Sequence, residues 1–403
     1  MAVTLTLAAH DGPLRGMRFS FTERDTALIG RAPDCHLRLP MNDPTASRHH
    51  CLIELAPPRA WLRDLGSRNG TLLNGRDLRG VDAPVALSVG DWIRVGDTLL
   101  RVEREEGSAG DAAHDATLPS SELPPPDDAA DDDVPGHELL DLLGGGGGGV
   151  VHRARRRADG AIVAVKRLRA ADDAPAYART SFAREVAAMQ ALRHPHVVEL
   201  YEHGAAGRAF YFTMELCAGG SAQDLLDANP EGVRVERAVA IAIDALAGLD
   251  AAHRAGFVHR DVKPGNVLLA EAEGPAKIGD LGLAKSFANA GLSGVTVAGA
   301  VAGTLAYMPR EQVTAYRTLG PASDVWSLGA TLYALLTGAA PRGEPRGRDA
   351  IAAVLSTPAV PVRHREPSVP EAVAAAVDRA LRDDPAERFA SAAELRDALL
   401  VAL

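Results

Sequence analysis

The stretch His259-Arg260-Asp261-Val262-Lys263-Pro264-Gly265-Asn266, followed by Asp280-Leu281-Gly282, decides the fold of this chain. It brings two carboxylates, an ammonium group and an amide close together in sequence. A carboxylate can orient an attacking hydroxyl, a cation can balance a moving charge, and carboxylate and amide oxygens can ligate Mg²⁺. Transfer of a phosphoryl group requires these parts.

This stretch resembles the catalytic loop and the metal-binding loop of the protein-kinase family. The resemblance implies that Asp261 orients the substrate hydroxyl and that Lys263 balances charge on the transferring phosphate. It also implies that Asn266 and Asp280 bind Mg²⁺ and that ATP is the phosphoryl donor. Arg260, directly before the catalytic Asp, implies activation by phosphorylation of a later loop.

A glycine run lies upstream at residues 144–149 and fits the pattern G-x-G-x-x-G-x-V, although six consecutive glycines satisfy any glycine pattern. A dinucleotide-binding fold would begin a helix here. The residues that follow alternate instead like two strands of a hairpin, which favours a kinase glycine-rich loop. The resemblance then implies a nucleotide site drawn from this loop, the next strand and the hinge between lobes: Gly144, Gly146, Gly149, Val151, Ala164, Lys166, Met214, Glu215 and Cys217.

Lysine is rare in this chain, because only Lys166, Lys263, Lys277 and Lys285 occur among 43 basic residues. Each Lys therefore marks a position where a compact ammonium group is favoured over a planar guanidinium. Lys166 ends Val163-Ala164-Val165-Lys166, which resembles the strand whose Lys grips the α- and β-phosphates. The resemblance pairs it with Glu185, on a helix predicted over residues 181–192.

Residues 285–303 correspond to the activation loop, where we expect autophosphorylation at Ser293 or Thr296. Residues 303–312 resemble the docking segment for protein substrates, but Pro309-Arg310-Glu311 stands where the family has Ala-Pro-Glu. Glu311 is expected to pair with Arg388. We also expect Arg310 to compete for Glu311.

Residues 1–104 contain short alternating runs separated by turn signals such as Asn69-Gly70, a pattern typical of an antiparallel β-sandwich. Their loop motifs resemble those of forkhead-associated (FHA) domains, which bind phosphothreonine. An Arg fork, a hydroxyl and an Asn amide suit a phosphate and its neighbouring backbone. The resemblance implies a phosphopeptide site and a supporting role for His50 beneath it. The predicted site residues are Arg31, Ser47, Arg48, Arg68 and Asn69.

Residues 105–134 form a Pro-containing acidic segment with ten acidic residues and no Lys or Arg. Such a composition predicts a disordered linker. The segment accounts for the formal net charge of −10, so the remainder is nearly neutral and no nucleic-acid partner is expected. The predicted organisation is multi-domain: an all-β FHA sandwich over 1–104, this linker over 105–134, and an α+β bilobal kinase over 135–403.

Three scattered cysteines favour a reducing cytoplasm, and no signal peptide or membrane span is expected. Together these features predict a serine/threonine protein kinase that acts on proteins and also binds phosphothreonine-containing proteins. Two alternatives remain open. One is a phosphopeptide-binding scaffold with a weakly active or pseudokinase domain. The other is a kinase for small molecules, which the docking segment disfavours.

Overall fold

The computed structural model of the chain describes residues 3–23, 25–57, 59–81, 83–106, 134–146, 149–169, 186–206, 209–281, 305–343 and 350–403. They form a two-sheet sandwich in the N-terminal part and a sheet followed by a helical assembly in the C-terminal part. None of the helices in these ranges is both long enough and apolar enough to span a bilayer.

The N-terminal sandwich packs two sheets face to face over an apolar core. Its strands are β1 (Val3–Asp11), β2 (Arg18–Phe21), β3 (Asp25–Gly30), β4 (Leu37–Arg38), β5 (Cys51–Ala56), β6 (Arg59–Asp64), β7 (Thr71–Leu73), β8 (Arg76–Asp77), β9 (Val85–Leu87), β10 (Trp92–Val95) and β11 (Thr98–Glu106). The first sheet has the order β2-β1-β11-β10-β7-β8 and the second β4-β3-β5-β6-β9. The sandwich prediction is confirmed, with one parallel pair, β3 with β4, among antiparallel neighbours.

The predicted turns fall where the backbone needs glycine. Asn74 and Gly75 both have positive φ, at 50° and 86°, as a tight two-residue hairpin turn requires. The last strand of the sandwich runs to Glu106, so regular structure extends two residues into the predicted linker. The C-terminal part begins with described structure at Val134.

The C-terminal part starts with a five-stranded antiparallel sheet of order β12-β13-β14-β16-β15. Its strands are β12 (His137–Gly146), β13 (Gly149–Arg156), β14 (Ile162–Arg169), β15 (Leu200–Ala206) and β16 (Ala209–Met214). Strands β12 and β13 form a hairpin through the glycine run, and no helix opens after it. This arrangement confirms the kinase-type loop over the dinucleotide-binding alternative. At Gly149, with φ of 114°, an added Cβ would lie 2.2 Å from the Arg167 carbonyl oxygen, so only glycine fits.

The remaining elements are a two-stranded sheet and a set of helices. They are α1 (Ala222–Ala228), α2 (Val235–Arg254), β17 (Val267–Leu269), β18 (Ala276–Ile278), α3 (Glu311–Thr314), α4 (Pro321–Thr337), α5 (Ala350–Ser356), α6 (Val362–Arg365), α7 (Glu371–Ala380) and α8 (Ala392–Ala402). Helix α4 is buried along almost its whole length, as its apolar run predicts. The catalytic stretch lies between α2 and β17, against this core.

Candidate active site and phosphopeptide site

The catalytic stretch folds into a short loop in which the predicted residues meet. The Asn266 side-chain amide donates to the Asp261 carbonyl at 2.8 Å and to Asp261 Oδ2 at 3.1 Å. Lys263 Nζ lies 3.1 Å from the same carboxylate oxygen. A carboxylate, an amide and an ammonium group therefore converge at one point, as the sequence predicts.

The second aspartate, Asp280, lies just after β18 and is held by a lysine of β14. Lys166 Nζ donates to Asp280 Oδ2 at 2.5 Å, and the Lys166 side chain is almost fully buried. The Gly279 N–H donates to the Asn266 carbonyl at 2.9 Å, which ties the metal-binding loop to the catalytic loop. Glu185, the predicted partner of Lys166, lies outside the described residues.

Backbone strain marks the same loops. Among the described non-glycine residues, positive φ occurs at Asn74, Arg260 (62°) and Asp280 (54°). Such conformations cost about 1–3 kcal/mol each and persist where neighbouring structure imposes them. Both strained residues of the C-terminal part therefore sit at the candidate active site.

Asp324 in α4 is the support for this strained loop. Its fully buried carboxylate accepts the N–H groups of His259 and Arg260, both at 2.8 Å, and lies 2.7 Å from His253 Nε2. His259 is itself buried, with Nε2 2.9 Å from the Gly279 carbonyl. These contacts agree with a scaffold role for His259 and a capping role for Asp324.

Strand register assembles the predicted nucleotide-binding residues. Val151 is opposite Lys166, and Ala164 is opposite Met214, on three adjacent strands. Gly144 pairs with Val151 at the glycine loop. The remaining predicted residues lie at the glycine loop, for Gly146 and Gly149, and directly after β16, for Glu215 and Cys217.

At the hinge, the Glu215 N–H already donates to the Glu199 carbonyl. The Glu215 side chain pairs with Lys277 at 2.6 Å, a contact that the sequence analysis did not predict. Burial raises the pKa of the Cys217 thiol to about 11, so this side chain is neutral at physiological pH. The neutral, half-buried Cys217 side chain at the hinge suits contact with a flat, uncharged base.

The chemistry of these groups fits a magnesium–nucleotide. Asn266 and Asp280 supply an amide and a carboxylate oxygen, which are the hard ligands that Mg²⁺ prefers. Lys166 supplies a buried cation for phosphate oxygens. When bound, Mg²⁺ would neutralise charge on the phosphates.

In the sandwich, the predicted phosphopeptide residues also meet. The Arg31 N–H donates to the Ser47 carbonyl at 3.1 Å, and Ser47 Oγ accepts the Arg68 N–H at 3.0 Å. The Asn69 side chain donates to the Thr45 carbonyl at 2.9 Å, and Arg48 is exposed beside them. Gly30 is required before Arg31, because an added Cβ would lie 2.3 Å from the Arg48 carbonyl oxygen.

His50 supports these loops from beneath, as predicted. It is fully buried, accepts the Ser47 N–H at Nδ1 (3.1 Å), and its Nε2 lies 3.2 Å from the Gly70 carbonyl. Burial lowers the pKa of His50 below 6.5, although the hydrogen bond to Gly70 opposes the shift.

Asp64 organises the neighbouring loop and was missed by the sequence analysis. Its buried carboxylate accepts from the hydroxyls of Ser67 and Thr71, both at 2.6 Å, and from the N–H groups of residues 66, 67 and 71. The available signal was an Asp followed by Gly and Ser, which is typical of a side chain that bonds to its own turn.

Of the two expectations for the docking segment, the structure shows the pairing of Glu311 with Arg388 but not the competition by Arg310. Arg388, whose side chain is fully buried, donates to Glu311 at 2.6 and 2.9 Å. The expected competition by Arg310 was wrong. Arg310 extends away from Glu311, toward the Leu355 carbonyl and the carboxylates of Asp34 and Asp383. Ser293 and Thr296, the predicted phosphorylation sites, lie outside the described residues.

Comparisons with known proteins agree with this architecture. Residues 137–399 match the family model for the protein kinase domain, and residues 27–96 match that for the FHA domain. Because the first match covers more than half of the chain, the chain belongs to the protein-kinase family.

Among curated relatives, serine/threonine-protein kinase PknJ of Mycobacterium tuberculosis is 36% identical over 231 residues, which cover 56% of this chain and 38% of PknJ. Serine/threonine-protein kinase PknB of Mycolicibacterium smegmatis is 37% identical over 245 residues, which cover 59% of this chain and 38% of PknB. The chain thus matches well under half the length of these relatives. A crystal structure of the Mycobacterium tuberculosis PknI kinase domain shares the fold, with a TM-score of 0.51 at 24% identity, covering 66% of this chain and 96% of that chain.

Proposed function

We propose that this chain is a serine/threonine protein kinase that transfers the γ-phosphate of ATP to protein hydroxyls. The observation that carries the proposal is the convergence of Asn266 and Lys263 on the Asp261 carboxylate, beside the buried Lys166–Asp280 pair. The names of the curated relatives support serine and threonine as acceptors.

Each side chain has a role that its chemistry allows. Asp261 accepts a hydrogen bond from the acceptor hydroxyl and takes up its proton as the new P–O bond forms. Lys263, on the same carboxylate, stabilises negative charge on the phosphate in transfer. Lys166 holds the α- and β-phosphates, with Glu185 as its proposed second partner.

Asn266 and Asp280 would hold Mg²⁺. The proposed nucleotide surface comprises the glycine loop, the neighbouring strand residues and the hinge, and the strand register that places Val151 opposite Lys166 and Ala164 opposite Met214 supports it. Regulation by autophosphorylation at Ser293 or Thr296 belongs to the same proposal. We place this activity in the cytoplasm, where ATP is available and where three free thiols remain reduced.

The N-terminal sandwich is proposed to bind phosphothreonine peptides. Arg31 and Ser47 would hold the phosphate, with Arg48 at the rim, and Arg68 and Asn69 would hold the peptide backbone. Two hydrogen bonds already join these residues, one from the Arg31 backbone N–H to the Ser47 carbonyl and one from the Arg68 backbone N–H to Ser47 Oγ. They support this assignment, because they preorganise the site.

Replacement of Arg31 tests the phosphopeptide proposal. Arg31→Ala should lose at least about tenfold in affinity for phosphothreonine peptides captured from a peptide library, because charge-assisted bonds to phosphate are lost. Arg94→Ala, at an exposed arginine in β10 of the same domain, is the matched control and should bind normally. Equal binding by Arg31→Ala and the control would contradict the assignment.

Transfer of radiolabelled phosphate tests the catalytic proposal. The wild-type chain, with ATP and Mg²⁺, should label itself or casein, and Asp261→Asn should not. Equal background labelling in both proteins would favour the alternative function, a phosphopeptide-binding scaffold.

A further inference from the structure

The outer face of the second FHA sheet carries apolar side chains that a lone sandwich would expose to water. Side chains alternate along β3, so Ala27 and Ile29 enter the sandwich core while Leu28 points away from it. Leu52 of β5 is opposite Leu28 in register and also points outward. Both leucines are 0% exposed. Another part of the chain must cover them.

The kinase domain provides the cover. Leu28, Leu52 and Leu65 share one buried cluster with side chains from the docking segment and from α3 and α5. The kinase members of the cluster are Leu305, Met308, Val313, Ile351, Val354 and Leu355. The contact therefore has an apolar centre, as specific interfaces do.

Polar contacts flank this centre. Thr26, on the same outer face as Leu28, donates its hydroxyl to the Val313 carbonyl at 2.8 Å, in a buried hydrogen bond. Arg317 lies 3.3 Å from Glu23 at a more exposed position. An apolar centre with polar contacts at its edge has the anatomy of a specific docking surface.

Arg310, the residue by which the docking segment departs from the family pattern, takes part in this contact. Its Nε atom lies 3.5 Å from Asp34 Oδ2 in the FHA domain. Among the described residues, each of these two buried atoms lacks a hydrogen-bond partner. Their opposite charges therefore compensate each other.

The surroundings of Asp34, on the FHA side of this ion pair, favour its ionised carboxylate form. Burial is the largest single influence and would raise the pKa of the Asp34 carboxyl. The hydrogen bond from His49 (2.8 Å), the charge of His49, a backbone hydrogen bond and the charge of Arg310 together outweigh burial, so the pKa lies below its usual value. Asp34, His49 and Cys35 also place potential metal-ligating atoms within 4.8 Å of one another. The adjacent Arg310 guanidinium disfavours a second cation there.

We propose that the outer face of the five-stranded FHA sheet is a docking surface for this chain's own kinase domain, and that Arg310 makes the docking specific by pairing with Asp34. The inference rests on packing and charge, so it stands whether or not the kinase transfers phosphate. Because both domains belong to one chain, docking needs little intrinsic affinity: short tethers give effective concentrations of the order of millimolar.

Docking has a consequence for the phosphopeptide site, because a loop of the docking surface is hydrogen-bonded to a loop of that site. The loop of Ala32 and Cys35, which faces the kinase, is bonded to the Arg48 carbonyl through the Ala32 N–H (2.9 Å) and the Cys35 thiol (3.4 Å). Arg31 is adjacent in sequence. A phosphoprotein held by the FHA domain would thus be delivered to one fixed side of the kinase docking segment.

Small-angle X-ray scattering of the full chain tests the docking. Leu52→Asp places a charge in the centre of the contact without touching the sandwich core, so the domains should separate and the radius of gyration should increase. Met17→Asp, at a half-exposed FHA position outside the contact, is the matched control and should leave the radius unchanged. Equal radii for Leu52→Asp and the wild type would overturn the proposal.

Charge reversal tests the role of Arg310 and does not depend on the folding of Leu52→Asp. Asp34→Arg and Arg310→Asp should each increase the radius of gyration, because each places like charges side by side. The double variant should restore the wild-type value by re-forming the pair in reverse. Failure of the double variant to recover, or no change in either single variant, would overturn the assignment of Arg310.

Discussion

At the scale of single residues, the most informative contact is the one between Lys166 and Asp280. A buried ammonium group that donates to a carboxylate at 2.5 Å holds that carboxylate in place until phosphate oxygens compete for the same cation. The site is therefore preorganised for an anionic ligand beside the carboxylate that is proposed to bind Mg²⁺. In an Arg-rich chain, the choice of Lys here fits the need for a compact cation.

Substitution of Lys166 should remove activity selectively. Lys166→Met should lower kcat/KM for ATP by about 10²-fold or more, because a preorganised charge contact to phosphate is lost. Lys277→Met is the comparison variant, since Lys277 also pairs with a carboxylate, that of Glu215 at the hinge. Steady-state kinetics of both variants gives the comparison. A larger loss in Lys277→Met than in Lys166→Met would contradict the assignment.

His50 makes the stability of the FHA domain depend on pH. Its pKa is about 6.5 when unfolded and lower when folded, so the unfolded state binds more protons between these values. The stabilisation is fully present above pH 6.5 and is lost as pH falls toward the folded pKa. Amide hydrogen exchange of β5, corrected for intrinsic rates, should therefore show less protection at pH 5.5 than at pH 7.5.

His50→Gln is the control for this pH effect. Glutamine can keep one of the two hydrogen bonds but does not titrate, so the variant should be less stable at pH 7.5 and change less between the two pH values. The same pH dependence in both proteins would exclude His50 as its source.

At the scale of elements, the docking segment is fixed by one buried ion pair between α3 and the chain before α8. Arg388 reaches Glu311 with two nitrogens and also donates to the carbonyls of Arg382 and Asp383. Loss of one member of a buried pair costs about 3–5 kcal/mol, whereas exposed pairs contribute below about 1 kcal/mol.

Arg388→Ala should therefore destabilise the kinase domain by several kcal/mol, because the Glu311 carboxylate would remain buried without its partner. Denaturant unfolding of the full chain measures the change. Arg396→Ala removes a partly exposed arginine paired with the exposed Asp397 and should change stability little. Comparable losses in the two variants would mean that the Glu311–Arg388 pair does not anchor the segment.

The elements also show which predictions a sequence can support. Residues 259–266 and Asp280 are local motifs, so their chemistry is readable from spacing, and the structure brings them together. Residues that are close in sequence stay close in the folded chain, so motifs of this kind can be recognised from the sequence.

The contact between the domains was not predicted, although its signal was present. Three consecutive apolar residues in β3 (27–29) and in β5 (51–53) indicate strands covered on both faces, whereas a half-exposed strand alternates apolar and polar residues. The sequence alone could not say what covers the second face. Arg310 was misassigned for the same reason: its partner, Asp34, lies far away in sequence and near only in the folded chain.

At the scale of the whole molecule, a domain that is proposed to bind phosphothreonine contacts a domain that is proposed to make it. The shared cluster joins the FHA outer face to the segment that follows the activation loop. Recruitment and phosphorylation would thus take place on two domains that contact each other. The contact can couple recruitment to phosphorylation only if the kinase domain transfers phosphate.

The most direct measurement of that claim is the intact mass of the full chain after incubation with ATP and Mg²⁺, beside nucleotide affinity measured on the same samples. The wild type should bind ATP and gain phosphate on Ser or Thr, and Asp261→Asn should bind ATP with similar affinity and gain none. A wild-type chain that binds ATP yet leaves itself and added casein unphosphorylated, or an Asp261→Asn variant phosphorylated as fast as the wild type, would contradict the account.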